Sequence, residues 1–96
     1  MTAYIVLMKE TTHDPAELEI YAQGAKTARG DHPITPLAFY GDLEVLEGPA
    51  MEGAVILQFP DVESARAWYY SPAYQEAMQH RVKGADWRAF IVKGVA

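Results

Sequence analysis

The run GAVILQFPDVESARAWYYSPAY, Gly53 to Tyr74, decides how the rest of the chain is read. Its opening seven residues, Gly53–Phe59, put Val55, Leu57 and Phe59 on one side of a strand and Ala54, Ile56 and Gln58 on the other. A strand with one wet face alternates apolar and polar residues, so near-continuous apolarity implies cover on both faces. Pro60 closes the strand. Asp61 then serves as a helix N-cap, and Val62, Ala65 and Trp68 or Tyr69 recur at helical spacing as its inward residues. Ser71-Pro72 repeats the signature of a cap followed by proline. A second helix restarts there, with Tyr74, Ala77, Met78 and Arg81 on one stripe and Gly84 at its end.

Reading outward, Ala3 to Met8 is a second apolar run, with Tyr4, Val6 and Met8 opposing Ala3, Ile5 and Leu7. Asp14-Pro15-Ala16-Glu17 supplies an N-cap, a proline at the first helical position and a glutamate placed for a capping box. Leu18, Tyr21, Ala22, Ala25 and Ala28 form the apolar stripe of that helix, and Gly30 is placed to end it. After the Asp31-His32-Pro33 turn, a strand is expected at Leu37–Tyr40, interrupted by Gly41-Asp42. Leu43–Leu46 is expected to continue as an extended arm to the Gly48-Pro49 turn, and Trp87–Val92 is the last strand.

The order is therefore βαββαβ. In a single sheet this favours an α+β, ferredoxin-like fold, with four antiparallel strands and the helices on one face. The helices can cover one apolar face only, so the other is expected to meet a second copy about a two-fold axis.

Composition sets the outer limits. Ninety-six residues suit a single domain, 1–96, and half of them are apolar, a generous supply for so small a core. The net charge of -5 and the scattered lysines and arginines oppose nucleic-acid binding, which depends on clustered cations. With no cysteine there is no disulfide, thiolate metal site or cysteine nucleophile. No stretch approaches the ~20 apolar residues of a membrane span, so a cytoplasmic protein without membrane partners is expected. No clustered ligand motif is present, so neither a metal nor another cofactor is expected.

Phe59 to Tyr74 resembles the corresponding phrase of the DUF1330 family, and so do Glu44–Gly48, His80-Arg81, Gly84-Ala85 and Ile91–Gly94. The chain departs from the family pattern near Gly30–Pro33 and Tyr40-Gly41, where members carry paired glycines. The resemblance implies a dimeric α/β barrel in which two ferredoxin-like sheets stack face to face. It implies no activity and no catalytic residues.

The candidate site residues come from the chain itself. Arg81 stands on a helical stripe where an apolar side chain is expected. It fits either an anchor for a ligand carboxylate or a structural role, paired with Glu44 or Glu47 or extended to solvent. Trp68, Tyr69 and Tyr74 flank the Ser71-Pro72 break, where aromatics either line a pocket for a flat ligand or seal the core. Tyr40 could reach the same cavity and, like His80 beside Arg81, handle a proton. Neither His80 nor His32 has a carboxylate at a spacing that announces a dyad, three scattered histidines including His13 suit surface or capping roles, and Ser71 is a cap rather than a nucleophile. The functional expectation is a pocket between sheet and helices that binds or transforms a small organic molecule, anionic or aromatic, without a cofactor. The alternative is a non-catalytic dimerisation or ligand-sensing module.

Overall fold

The computed structural model describes every residue, Met1–Ala96. The elements are β1 (Ala3–Thr12), α1 (Pro15–Arg29), β2 (Thr35–Phe39), β3 (Gly53–Phe59), α2 (Val62–Tyr69), α3 (Pro72–Gly84) and β4 (Ala85–Lys93). The strands form one antiparallel sheet in the order β2-β3-β1-β4, the ferredoxin-like arrangement.

The caps form as the sequence suggests. Asp14 accepts from the Ala16 amide at 3.1 Å, and Asp61 from the Ser64 amide at 2.7 Å. That bond holds the Asp61 carboxyl below its usual range. Ser71 accepts from the Tyr74 amide at 3.3 Å while donating to the Trp68 carbonyl at 2.7 Å, so one hydroxyl joins the end of α2 to the start of α3. Glu17 behaves differently from the capping box expected of it. Its carboxylate turns to His80 on α3, 63 residues away in the chain.

The two faces of the sheet are unequal. Ala3, Ile5 and Leu7 of β1 and Val55, Leu57 and Phe59 of β3 are buried under the helices. Their alternates, Tyr4, Val6 and Met8 with Ala54, Ile56 and Gln58, form an outer face that no helix covers. Val6 lies opposite both Ile56 and Phe90, and Phe90 is 46% exposed.

Close backbone approach shapes the helical layer. A Cβ on Gly84 would stand 2.6 Å from Leu18 Cδ2, and one on Gly24 would stand 2.8 Å from Ala77 Cβ. Gly84 ends α3, as expected. Its physical reason is this contact with α1 rather than a left-handed turn, which Gly30 does provide at φ 46°.

The expected boundaries shift in three places. β1 and β4 are longer than their apolar cores, because Thr11 and Thr12 pair with Asp86 and Ala85 beyond a bulge. β2 begins at Thr35, not Leu37, since an edge strand tolerates Pro36 where no sheet bond is required of it. It stops at Phe39, because Tyr40 adopts φ 55° and turns the chain away. Leu43–Leu46, expected to continue as an extended arm, has no regular strand pairing.

Candidate functional site

An apolar cavity of about 540 Å³ lies between α1 and the half of the sheet that ends at β2. Apolar periodicity builds its walls. Leu18, Tyr21, Ala22 and Ala25 present the inner stripe of α1, while Leu7, Val55 and Leu57 form the floor. Phe39, Tyr40, Trp68 and Trp87 complete it with aromatic rings. The charged lining residues are Lys9, Lys26 and Arg29, with no carboxylate among them. In a chain of net charge -5 this is a local reversal of sign. Lys9 stands 3.9 Å from Glu52, and Arg29 donates to the Ile34 carbonyl at 2.9 Å. Neither Lys26 nor Arg29 has an acidic partner.

Tyr40 is fixed in this wall by backbone and ring contacts together. Its amide donates to Ala54 at 2.9 Å, and its ring crosses Gly53, where a Cβ would come within 3.0 Å. Phe39 and Trp87 meet the ring edge-on at 4.8 and 6.4 Å between centroids, and the Lys9 ammonium lies 5.7 Å from its centre. Burial, helped by the nearby Tyr74 phenol and opposed by Arg81, pushes the Tyr40 phenol up to about 12. At neutral pH it is therefore a hydrogen-bond donor rather than a base.

Behind the wall lies a second polar group. Tyr21 and Tyr74 share a buried hydrogen bond of 2.9 Å between their hydroxyls, and their rings meet edge-on. Burial raises both phenols, while the Arg81 guanidinium beside them pulls the other way. Arg81 is only 3% exposed and has no carboxylate partner, and its Nε has no hydrogen-bond acceptor. Glu44 and Glu47, the partners considered for it, lie in the exposed segment after β2 and pair with nothing. The guanidinium carbon lies 5.4 Å from the centre of the Trp87 ring, which is itself pinned by donating to the Arg81 carbonyl at 3.1 Å. A buried cation without an anion carries most of its desolvation cost uncompensated. The other orphaned buried donor is Trp68 Nε1.

The expected site residues are thus divided. Tyr40 and Trp68 line the cavity, while Tyr74 and Arg81 stand just behind it. Tyr69 faces elsewhere, donating to Met78 Sδ at 3.2 Å and lining a smaller recess with Tyr70 and Phe90. His80 is tied to Glu17 at 2.6 Å on the seam between α1 and α3, outside the cavity lining. His80 does have a carboxylate partner, contrary to expectation, and His13 meets Asp86 at 2.9 Å, while His32 pairs with none. Folding brings these partners together from distant segments. In the sequence, Tyr21 is one residue of a helical stripe and Trp87 the start of a strand, and neither stands out as a site residue. An aromatic on an alanine-rich stripe, Tyr21 between Leu18 and Ala25, was the available signal. No cluster of three or more His, Cys, Asp or Glu side chains is placed to hold a metal, and no helix is long and apolar enough to cross a membrane.

These features define a ferredoxin-like α+β domain with an aromatic, cation-fringed cavity between its first helix and its sheet. The chain belongs to the family described as "Domain of unknown function (DUF1330)", which matches residues 2–95. A comparison with curated proteins gives no match. Among solved structures it is similar to the RPA0582 protein of unknown function from Rhodopseudomonas palustris, with 18% identity and a TM-score of 0.73 over 99% of this chain and 83% of that one. It is also similar to a dimeric ferredoxin-like protein of unknown function from Thermobifida fusca YX, with 15% identity, a TM-score of 0.66 and coverage of 98% and 92%. A third is SnoaB, a cofactor-independent oxygenase from Streptomyces nogalater, with 10% identity, a TM-score of 0.63 and coverage of 99% and 94%. At these identities the likeness is one of fold.

Proposed function

We propose that this protein is a homodimer that binds a small amphipathic organic anion, an aryl or alkyl carboxylate, in the cavity under α1. The observation that carries the reading is the lining itself: an apolar, aromatic interior with Lys9, Lys26 and Arg29 and no carboxylate. Its volume of about 540 Å³ lies in the range of small-molecule sites. An apolar body would displace water from the aromatic walls, and its carboxylate would meet Lys26 and Arg29 at the more exposed side. Tyr40 and Trp68 would contact the body of the ligand, while Arg81 contributes positive potential from behind Tyr21 and Trp87. Tyr69, considered for the same pocket, would not touch this ligand.

The homodimer reading is supported by the uncovered apolar outer face and by solved relatives of the same fold that are described as dimeric. The likeness to a cofactor-independent oxygenase suits small-molecule chemistry on this fold, but transfers no reaction to these residues. Cofactor independence and a cytoplasmic location belong to the same proposal.

The test is thermal unfolding with 3-phenylpropanoate and with its neutral amide. A ligand at ten times its dissociation constant stabilises by about 1.4 kcal/mol, several degrees in a domain of this size. The acid should raise the midpoint in a saturable way and the amide should not. The K26E/R29E double variant should abolish the shift. If a panel of aryl and alkyl carboxylates at millimolar concentration leaves the midpoint unchanged, the cavity is not an anion site.

A further inference from the structure

The strand β3 opens on a glycine that its backbone does not require. Gly53 is buried, and the residues with positive φ are Gly30, Gly48 and Tyr40. A glycine within a strand weakens it, and at an ordinary φ it marks the close approach of another group. Here that group is the Tyr40 ring. A Cβ on Gly53 would stand 3.0 Å from Tyr40 Cδ1, 3.5 Å from its Cε1 and 3.8 Å from Lys9 Cε. Gly53 shares its face of β3 with Val55, Leu57 and Phe59, so that Cβ would point toward the helices. The ring therefore lies close against the sheet, in the place that a side chain at position 53 would take.

Tyr40 reaches this slot with a φ of 55°, the one non-glycine residue in the left-handed region. Such a conformation is unfavourable for tyrosine and persists where the surroundings over-determine it. The amide bond to Ala54 and the edge-on Phe39 and Trp87 rings do so here. With β3 beneath the ring and those two rings against it, the open direction is away from the sheet. That is the direction of the cavity, which Tyr40, Phe39 and Trp87 all line and Gly53 does not.

We infer that Gly53 is a specificity-determining residue, whose missing side chain lets the Tyr40 ring recede against the sheet and gives the cavity depth for a thick, saturated ring or cage beside the anionic group. The inference rests on the anion-binding reading and sharpens its ligand class. A methyl at position 53 would displace the ring by a few tenths of an ångström. Its 3.8 Å approach to Lys9 Cε is an ordinary contact, so the cation keeps its place. The wall moves and the charge does not. A flat acid has room to shift away from the displaced ring, whereas a cage that fills the cavity is overpacked by it.

The experiment is titration calorimetry with 3-(1-adamantyl)propanoate, a cage acid, and 3-phenylpropanoate, a flat one. The proteins are the natural chain, Gly53→Ala, Tyr40→Ala and the double variant, each checked for folding by circular dichroism. The natural protein should bind the cage acid at least as tightly as the flat one, since its apolar body buries more surface. Gly53→Ala should weaken the cage acid about fivefold and leave the flat acid within about twofold. Once Tyr40→Ala has removed the ring, adding Gly53→Ala should change neither affinity by more than about twofold. Tyr40→Ala alone should move the ratio about threefold toward the cage acid, which keeps a test in hand if Gly53→Ala does not fold. An unchanged ratio in either single variant, or the same loss from Gly53→Ala without the Tyr40 ring, overturns the role of Gly53 and leaves the anion site standing. So does a natural protein that binds the flat acid and not the cage. If neither acid binds the natural protein, the anion site and this inference fall together.

Discussion

Arg81→Met should make the protein more stable and poorer at holding anions. Methionine occupies the slot with an unbranched chain of similar length and no charge. In the natural protein the guanidinium is 3% exposed, lacks any carboxylate and leaves Nε without an acceptor. Withdrawing such an ion from water costs several kcal/mol even after the surroundings relax. Two contacts offset part of it. The approach to the Trp87 ring at 5.4 Å is worth about 1–2 kcal/mol in a desolvated setting. The neighbouring Tyr74 phenol offsets a further part. The Trp87 bond to the backbone carbonyl of residue 81 survives the substitution. A residual burden of roughly 1–3 kcal/mol remains for methionine to relieve. For a domain of this size that corresponds to a rise in Tm of roughly 5–20 °C, read by calorimetry at fixed protein concentration. The anion-induced shift should shrink at the same time. A variant that melts at least 5 °C below the natural protein would refute this reasoning and make Arg81 a structural keystone.

Other outcomes can be checked in parallel. The phenols of Tyr21, Tyr40 and Tyr74 are held protonated by burial, Tyr40 up to about 12, so the folded chain keeps protons that an unfolded one releases above about pH 10. The Tyr40 contribution is complete below about pH 10 and is lost as pH rises toward about 12, so urea midpoints should fall across that window and fall less steeply in Tyr40→Phe. Val6→Glu places a charge on the outer face between Ile56 and Phe90 and should convert a dimer to a monomer by light scattering; an unchanged dimer would point to a different interface. Gly84→Ala forces a methyl against Leu18, 2.6 Å from its Cδ2, and should cost about 1–3 kcal/mol in a denaturant titration, whereas Gly41→Ala, in open space, should cost little.

The parts of the fold that rest on local rules could be read residue by residue. Strand cores, caps at Asp14, Asp61 and Ser71, and helical stripes follow from spacing and from side chains that bond their own backbone neighbours. Where a boundary depended on a distant partner, the sequence was silent. Pro36 sits within β2 because that strand turned out to lie at an edge, and Thr11 and Thr12 extend β1 because β4 runs alongside them. The site divides in the same way. Arg81 was conspicuous as a cation on an apolar stripe, and Tyr40 as an aromatic beside a glycine, but their surroundings could not be seen. His80 had its carboxylate supplied by Glu17 from the other helix. Tyr69, next to Trp68, went to a different recess because successive helical residues point about 100° apart.

The sequence alone determined the βαββαβ order, the two apolar faces of the sheet and the lack of cysteine chemistry, because periodicity and composition are properties of the chain. Tertiary structure decided that Tyr21 and Tyr74 share a buried hydrogen bond, that Lys9, Lys26 and Arg29 share a cavity, and that no carboxylate reaches Arg81. Those relations join residues up to 53 positions apart, from Tyr21 to Tyr74. Only the packing of α1 against α3 and of both against the sheet sets such distances, and no local spacing rule encodes them.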